Sequence, residues 1–391
     1  MKVSPSAFLV LATLPLSSGD NPKNYGWQVL DIHLPKKLSD HSASVGSDGL
    51  MYISGGCDSP DGNVYITLSE NDGYFDCDSI SSSFFSFDPI ARTFMNLTDL
   101  PRPRYRHSSS AVGNQVWVVG GRDPTGDLVS EIDVYNIETK SWSSVTLPSQ
   151  YVVSDHASFT QEPSYIFIAG GYDQNYTTYN TLARIDASTL GQDTLVVDAM
   201  APMKTARGDI YGAVSENGQS AFVAGGFTDA NGFCAPLGST EKYNFASNTW
   251  TELPDLVNPR GEVVLVDVSN DLYAVGGERQ IEGICDSAGD KIDPGEQTVA
   301  TDEVEVFENN AWKVISDFPN HRFRFAAAAD KDGLIFAFGG QTAYDGACQC
   351  FRTTDDIAVF GQVVNGSSAA GISSGMWVLA LTVATFVATV F

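Results

Sequence analysis

The sequence predicts an all-β fold in which one supersecondary unit recurs six times, and three observations carry that reading. Glycine doublets fall at Gly55-Gly56, Gly120-Gly121, Gly170-Gly171, Gly225-Gly226, Gly276-Gly277 and Gly339-Gly340, 65, 50, 55, 51 and 63 residues apart. Each follows an apolar run: MYIS, VWVV, IFIA, AFVA, LYAV or IFAF. A second, alternating run and then a large ring follow in most copies, as Ile132-Asp133-Val134-Tyr135 precedes Trp142. Self-similarity at such a spacing is the mark of repeat architectures. No segment shows a sustained helical period.

Each element has a physical reason. A short apolar run ending in Gly-Gly reads as a buried strand whose end another backbone approaches closely, which a side chain would block. The alternating run reads as a half-exposed strand. Phe94, Trp142, Trp250 and Trp312 supply rings suited to packing between neighbouring sheets. After each comes an apolar-Pro pair: Leu100-Pro101, Leu147-Pro148, Leu253-Pro254 and Phe318-Pro319. Trp27 leads to Leu34-Pro35 in the same way with no doublet before it, while Asp356-Ile357-Ala358-Val359-Phe360 has no ring element after it. The N-terminal piece is therefore expected to supply the fourth strand of the last unit, which closes a ring and removes two sheet edges. The third copy is degenerate: Arg184-Ile185-Asp186 replaces the aromatic strand and no Trp follows.

Glycine doublet, aromatic strand and ring in six concordant copies resemble the kelch repeat, whose units are four-stranded propeller blades. The resemblance covers roughly residues 25 to 361. It implies a six-bladed kelch-type β-propeller closed by the N-terminal strand. The family's arginine before each first strand is matched by Arg106, Arg207 and Arg260, and by Arg322 or Arg324.

Both ends read as processed. Residues 1–19 combine Lys2, an apolar stretch from Ala7 to Leu16 and small residues at Ser17-Ser18-Gly19, a signal-peptide pattern. The propeller then occupies 20–364. Residues 365–391 hold a small triplet from Asn365, a polar spacer and the uncharged run Met376–Phe391, the pattern of a glycolipid-anchor signal attached at Asn365; a plain C-terminal membrane helix is the competing reading. These ends place the chain outside the cell, at its surface and membrane-anchored. In that setting Asn96 and Asn175 head glycosylation sequons, and the even set Cys57, Cys77, Cys234, Cys285, Cys348 and Cys350 points to disulfides. Cys57 with Cys77, inside one loop, is the expected pair. The partners of the other four stay open.

The candidate chemistry is sparse. His41, His107 and His156 precede the first strands of three blades, with Asp209 and Glu262 at similar registers in two more. Lining the mouth of a channel, these five are the metal-ligand candidates, although the resemblance implies local hydrogen bonding for the histidines. Relatives of this architecture include copper carbohydrate oxidases and sugar isomerases, so a carbohydrate-active enzyme is the alternative function. No GxSxG, HExxH or phosphate-loop motif occurs, and the principal reading is a binding module for a protein or glycan. With 391 residues and a net charge of −26, a nucleic-acid partner is disfavoured by phosphate repulsion. No cofactor is expected, apart from Ca²⁺ on the acidic loops. Residues 57–78 carry six acids and no base, and residues 278–303 carry eight acids against two bases.

Overall fold

The computed structural model describes residues 25–59, 63–68, 73–192, 194–233, 235–280, 298–348, 350–364 and 371–373. It is a six-bladed propeller. Blade 1 comprises strands Ser42–Val45, Met51–Ser54, Phe84–Asp88 and Thr93–Asn96. Blade 2 comprises Ser108–Val112, Gln115–Val119, Glu131–Asn136 and Ser141–Thr146. Blades 3, 4 and 5 repeat that four-stranded antiparallel order. The degenerate third copy still forms Leu182–Asp186 and Val197–Met200 as its two outer strands. First strands neighbour one another all the way round, so they line the channel.

Closure occurs as the sequence predicts. Blade 6 consists of Ala326–Ala329, Ile335–Phe338, Asp356–Val364 and the N-terminal strand Tyr25–His33, with Trp27 opposite Phe360 and Val29 opposite Ala358. Trp27 packs edge-on against Phe318 at 4.5 Å and tilted against Phe360 at 5.1 Å. Gly371–Ser373, inside the expected anchor signal, pair with the end of Asp356–Val364. The expected signal peptide, Asn365 and the apolar tail lie outside the described residues.

The core is distributed between blades. Among the described residues six apolar clusters each bridge one pair of neighbouring blades, as Trp117, Val119, Ile132 and Val134 of blade 2 meet Ile166, Ile168 and Ile185 of blade 3. The fourth-strand tryptophans fasten these seams. Trp142 Nε1 donates to the Thr98 carbonyl at 2.9 Å and Trp250 Nε1 to the Ala201 carbonyl at 2.8 Å, both on the preceding blade's exit.

The glycine doublets are where one blade touches the next. Gly120 has φ +62°, and a Cβ there would collide with the Val153 carbonyl and sit 2.8 Å from His156 Cε1 of the next blade. The N–H of each doublet's second glycine donates to the next blade's lead-in, Gly56 to Arg104 and Gly171 to Arg207, both at 2.9 Å. Only glycine combines this dihedral with this approach.

One feature has no counterpart in the repeat. The loop strands Asn63–Leu68 and Gly73–Asp76 of blade 1 join Gln341–Asp345 and Cys350–Thr353 of blade 6 in an additional four-stranded sheet. A hairpin of Glu278–Gln280 and Thr298–Ala300 from blade 5 lies beside it. Together they form a crown over blades 5, 6 and 1.

Candidate functional site

The channel mouth is built by one residue per blade. Asp40, Arg106, Asp155, Asp209, Glu262 and Arg324 each precede a first strand by two residues, or three for Asp209, and each has a left-handed backbone with φ between 52° and 55°. Backbone N–H groups chain this ring together: Asp40 to Arg324, Arg106 to Asp40, Asp155 to Arg106, all at 2.9 Å, and Glu262 to Asp209 at 3.0 Å. A left-handed backbone at a residue bearing a side chain is costly and persists where surroundings over-determine it. Here these backbone hydrogen bonds between neighbouring lead-ins do so.

The ring is electrostatically divided. On one arc Arg106 Nε lies 3.6 Å from Asp40 and 3.7 Å from Asp155, and Arg324 lies 3.7 Å from Asp40 and 3.2 Å from Glu262. On the other arc Asp155, Asp209 and Glu262, from blades 3, 4 and 5, bring carboxylate oxygens within 4.8 Å of one another. The Tyr172 hydroxyl donates to Asp209 at 2.6 Å. Burial, opposed by Arg106 and reinforced by Asp209, pushes the Asp155 carboxyl up to about 7. Burial and Asp209 likewise hold Glu262 well above the usual carboxylate range. The pocket these residues line measures about 30 Å³, room for one or two waters.

The five metal-ligand candidates divide. Asp209 and Glu262 join Asp155 in the acidic arc. His41, His107 and His156 sit one residue further on, in the register of Ile210, Val263 and Phe325, and are packing groups. Each fills the space above a glycine doublet of the preceding blade. His107 Nε2 shares a hydrogen bond with Ser54 at 2.9 Å, and His156 Nε2 with Ser108 at 2.7 Å. Burial lowers His41 and His156 to about 4, and burial with Arg104 nearby holds His107 well below the usual imidazole range. The one-residue offset arises because the left-handed ring residue turns its side chain to the channel while its successor turns into the seam.

The same offset corrects the family arginine. Arg104, not Arg106, is equivalent to Arg207, Arg260 and Arg322, and all four are fully buried. Arg104 pairs with Asp133, Arg207 with Glu241 at 2.9 Å, Arg260 with Glu305, and Arg322 with Asp356 at 3.8 Å. Each joins a lead-in to the third strand of its own blade, an internal spoke remote from ligand. Arg106 and Arg324 belong to the ring.

Sequence reasoning missed Asp40, Asp155 and the aromatic rim beside the acidic arc. Tyr172, Tyr176 and Phe233 form that rim, with Tyr172 centred 5.8 Å from each of the other two. Phe233 is 40% exposed, and Arg122 lies over the Tyr176 ring at 4.1 Å. The signal for the ring was the recurring Arg-Gly-acid of residues 207–209 and 260–262. Nothing periodic marks Tyr176 or Phe233.

Cys57 and Cys77 are joined, with Cα atoms 5.8 Å apart, as are Cys348 and Cys350 at 5.3 Å. Both bonds lie at the crown. Cys234 and Cys285 fall outside the described residues. Asn96 and Asn175 are exposed, the first on an outer strand and the second in the blade 3 loop.

Comparison with known proteins follows the same lines. The KLHDC2/KLHL20/DRC7 Kelch-repeats domain matches residues 21–210 and again 72–277. Kelch-like protein 40 of Mus musculus is 26% identical over 255 residues, 65% of this chain and 37% of that protein. Kelch-like protein 34 of Homo sapiens is 24% identical over 255 residues, covering 65% and 37%. The chain thus spans little more than a third of these relatives. A solved structure of YjhT superposes with a TM-score of 0.63 at 14% identity, covering 84% of this chain and 96% of that one, a likeness of fold. These relatives overturn one expectation, the membrane-anchored placement at the cell surface: Kelch-like proteins 40, 36, 41a and 34 are intracellular. Among the described residues no helix is long and apolar enough to cross a membrane.

Proposed function

Because the chain belongs to the kelch-repeat family, we propose that this propeller, a protein-interaction module, takes a protein partner on the face that carries the channel mouth. The observation that supports this reading is the asymmetry of that face. A crown rises over blades 5, 6 and 1, while the short loops of blades 3 and 4 leave Tyr176 and Phe233 beside the mouth. An exposed Phe233 and a half-buried Tyr176 next to a concave, charged centre have the composition of binding hot spots. Two rim aromatics are held in left-handed turns, Tyr176 at φ 61° and Phe233 at φ 58°, which lowers the ordering cost of binding.

The test is proximity cross-linking of the full chain in cells, comparing the unaltered protein with a Tyr176→Ala/Phe233→Ala variant and with Ile90→Ala on the opposite face. The rim variant is expected to weaken capture of the principal cross-linked protein at least about tenfold, the loss typical of a hot spot, and Ile90→Ala to leave it unchanged. Equal capture by all three, or a glycan ligand lost in the rim variant, would overturn the proposal.

A further inference from the structure

We propose that Asp155, Asp209 and Glu262 form a binding site for one divalent cation of the calcium class at the mouth of the channel. The three carboxylates come from successive blades and converge, with Arg106 beside Asp155 and Arg324 beside Glu262 on the outer sides of the arc. Each is held by backbone geometry, since its residue is one of the six left-handed positions of the hydrogen-bonded ring.

Two independent observations point to a ligand there. The Asp155 side chain is only 4% exposed, and its Oδ2 has no hydrogen-bond partner in the protein, while Oδ1 faces Arg106 at 3.7 Å. A buried carboxylate oxygen left without a donor is costly. The second is the crowding of like groups: burial, with Asp209 adding to it, raises both the Asp155 and the Glu262 carboxyls, and a divalent cation between the three would favour their charged forms.

The donor set identifies the class of ion. The three groups that converge are all carboxylates, with no histidine nitrogen among them, and hard oxygen donors select calcium or magnesium over zinc or copper. Oxygens within 4.8 Å of one another fit around one ion at Ca–O distances of about 2.3–2.6 Å. The pocket leaves room for water to complete the shell. The Tyr172 hydroxyl, donating to Asp209 Oδ2, acts as a positioning group for one ligand.

The test uses the full chain after treatment with a chelator. Millimolar CaCl2 is expected to raise the melting temperature by about 5 °C at a hundredfold excess over Kd, with one site by calorimetry. Asp155→Asn and Glu262→Gln should each abolish most of that shift, each variant being compared with its own melting temperature in chelator. Terbium bound to the unaltered protein should luminesce through the nearby tyrosines and be displaced by calcium, which keeps the test open if a variant fails to fold. An absent calcium shift, or one retained in both variants and so arising from the acidic loops, would overturn the proposal.

Discussion

A single backbone register decides the role of every residue at the channel mouth. The residue before each first strand is turned to the channel by its left-handed φ, and the next packs over a glycine pair, so His156 occupies the position that Ile210 and Val263 occupy in later blades. It is a neutral filler, and this has a consequence with a definite sign. Burial lowers the folded pKa of His156 to about 4, below the 6.5 of an exposed imidazole. The unfolded chain therefore binds the extra proton first. The stability this residue contributes is complete above pH 6.5 and is lost as pH falls from 6.5 to 4. Replacing it with the residue its neighbours use, His156→Ile, removes the effect while the titrations of Asp155 and Glu262, which run in the opposite sense, stay common to both proteins. Urea unfolding at pH 7 and pH 4 should show the variant gaining up to roughly 3 kcal/mol on the unaltered protein at the lower pH. A gap that does not change with pH would show that the imidazole is charged or accessible in the folded state.

At the scale of the element, the blade is legible because its chemistry repeats. Gly-Gly and apolar run survive in six copies and the ring in all but the third, and even the missing fourth strand of blade 6 is readable from the orphaned Trp27 and the unpaired run at residues 356–360. Arg106 was misassigned because two arginines stand two apart at residues 104 and 106, and only the backbone tells spoke from ring. The closing strand carries the firmest prediction. Deleting residues 25–33 exposes the edge of Asp356–Val364, uncovers Phe318 and Phe360, and breaks the pairing of the two ends of the propeller within blade 6. The propeller should lose several kcal/mol of cooperative stability, a large share of the 5–15 kcal/mol typical of a domain. Denaturant unfolding of the shortened chain with an unchanged midpoint would mean that five complete blades and a three-stranded sixth suffice.

Across the whole molecule, six seams of similar construction make the propeller one cooperative body, and the crown is a separate addition to it. The crown left no trace in the repeat because it arises between loops nearly 300 residues apart: Cys350 pairs with Tyr65, and Phe351 with Val64. Such pairing follows no period, so sequence patterning recorded only two acidic insertions and some cysteines. The crown depends instead on covalent ties. Cys57–Cys77 closes a loop of 20 residues within blade 1, and Cys348–Cys350 pins the turn of the facing hairpin. Closing a loop of that length restricts the unfolded chain by about 3 kcal/mol in the entropic account. That contribution falls on the crown strands, whereas the blades hold through buried apolar seams and arginine spokes. Cys77→Ser should therefore speed proteolysis and hydrogen exchange across residues 63–76 and 341–353 by about a hundredfold, since roughly 3 kcal/mol is two powers of ten. The same variant should leave the protection of strands such as Val116–Val119 and Val304–Val306 unchanged. If the blades lose protection in step with the crown, crown and propeller are one cooperative unit, and the partner-binding face cannot loosen without the ring beneath it.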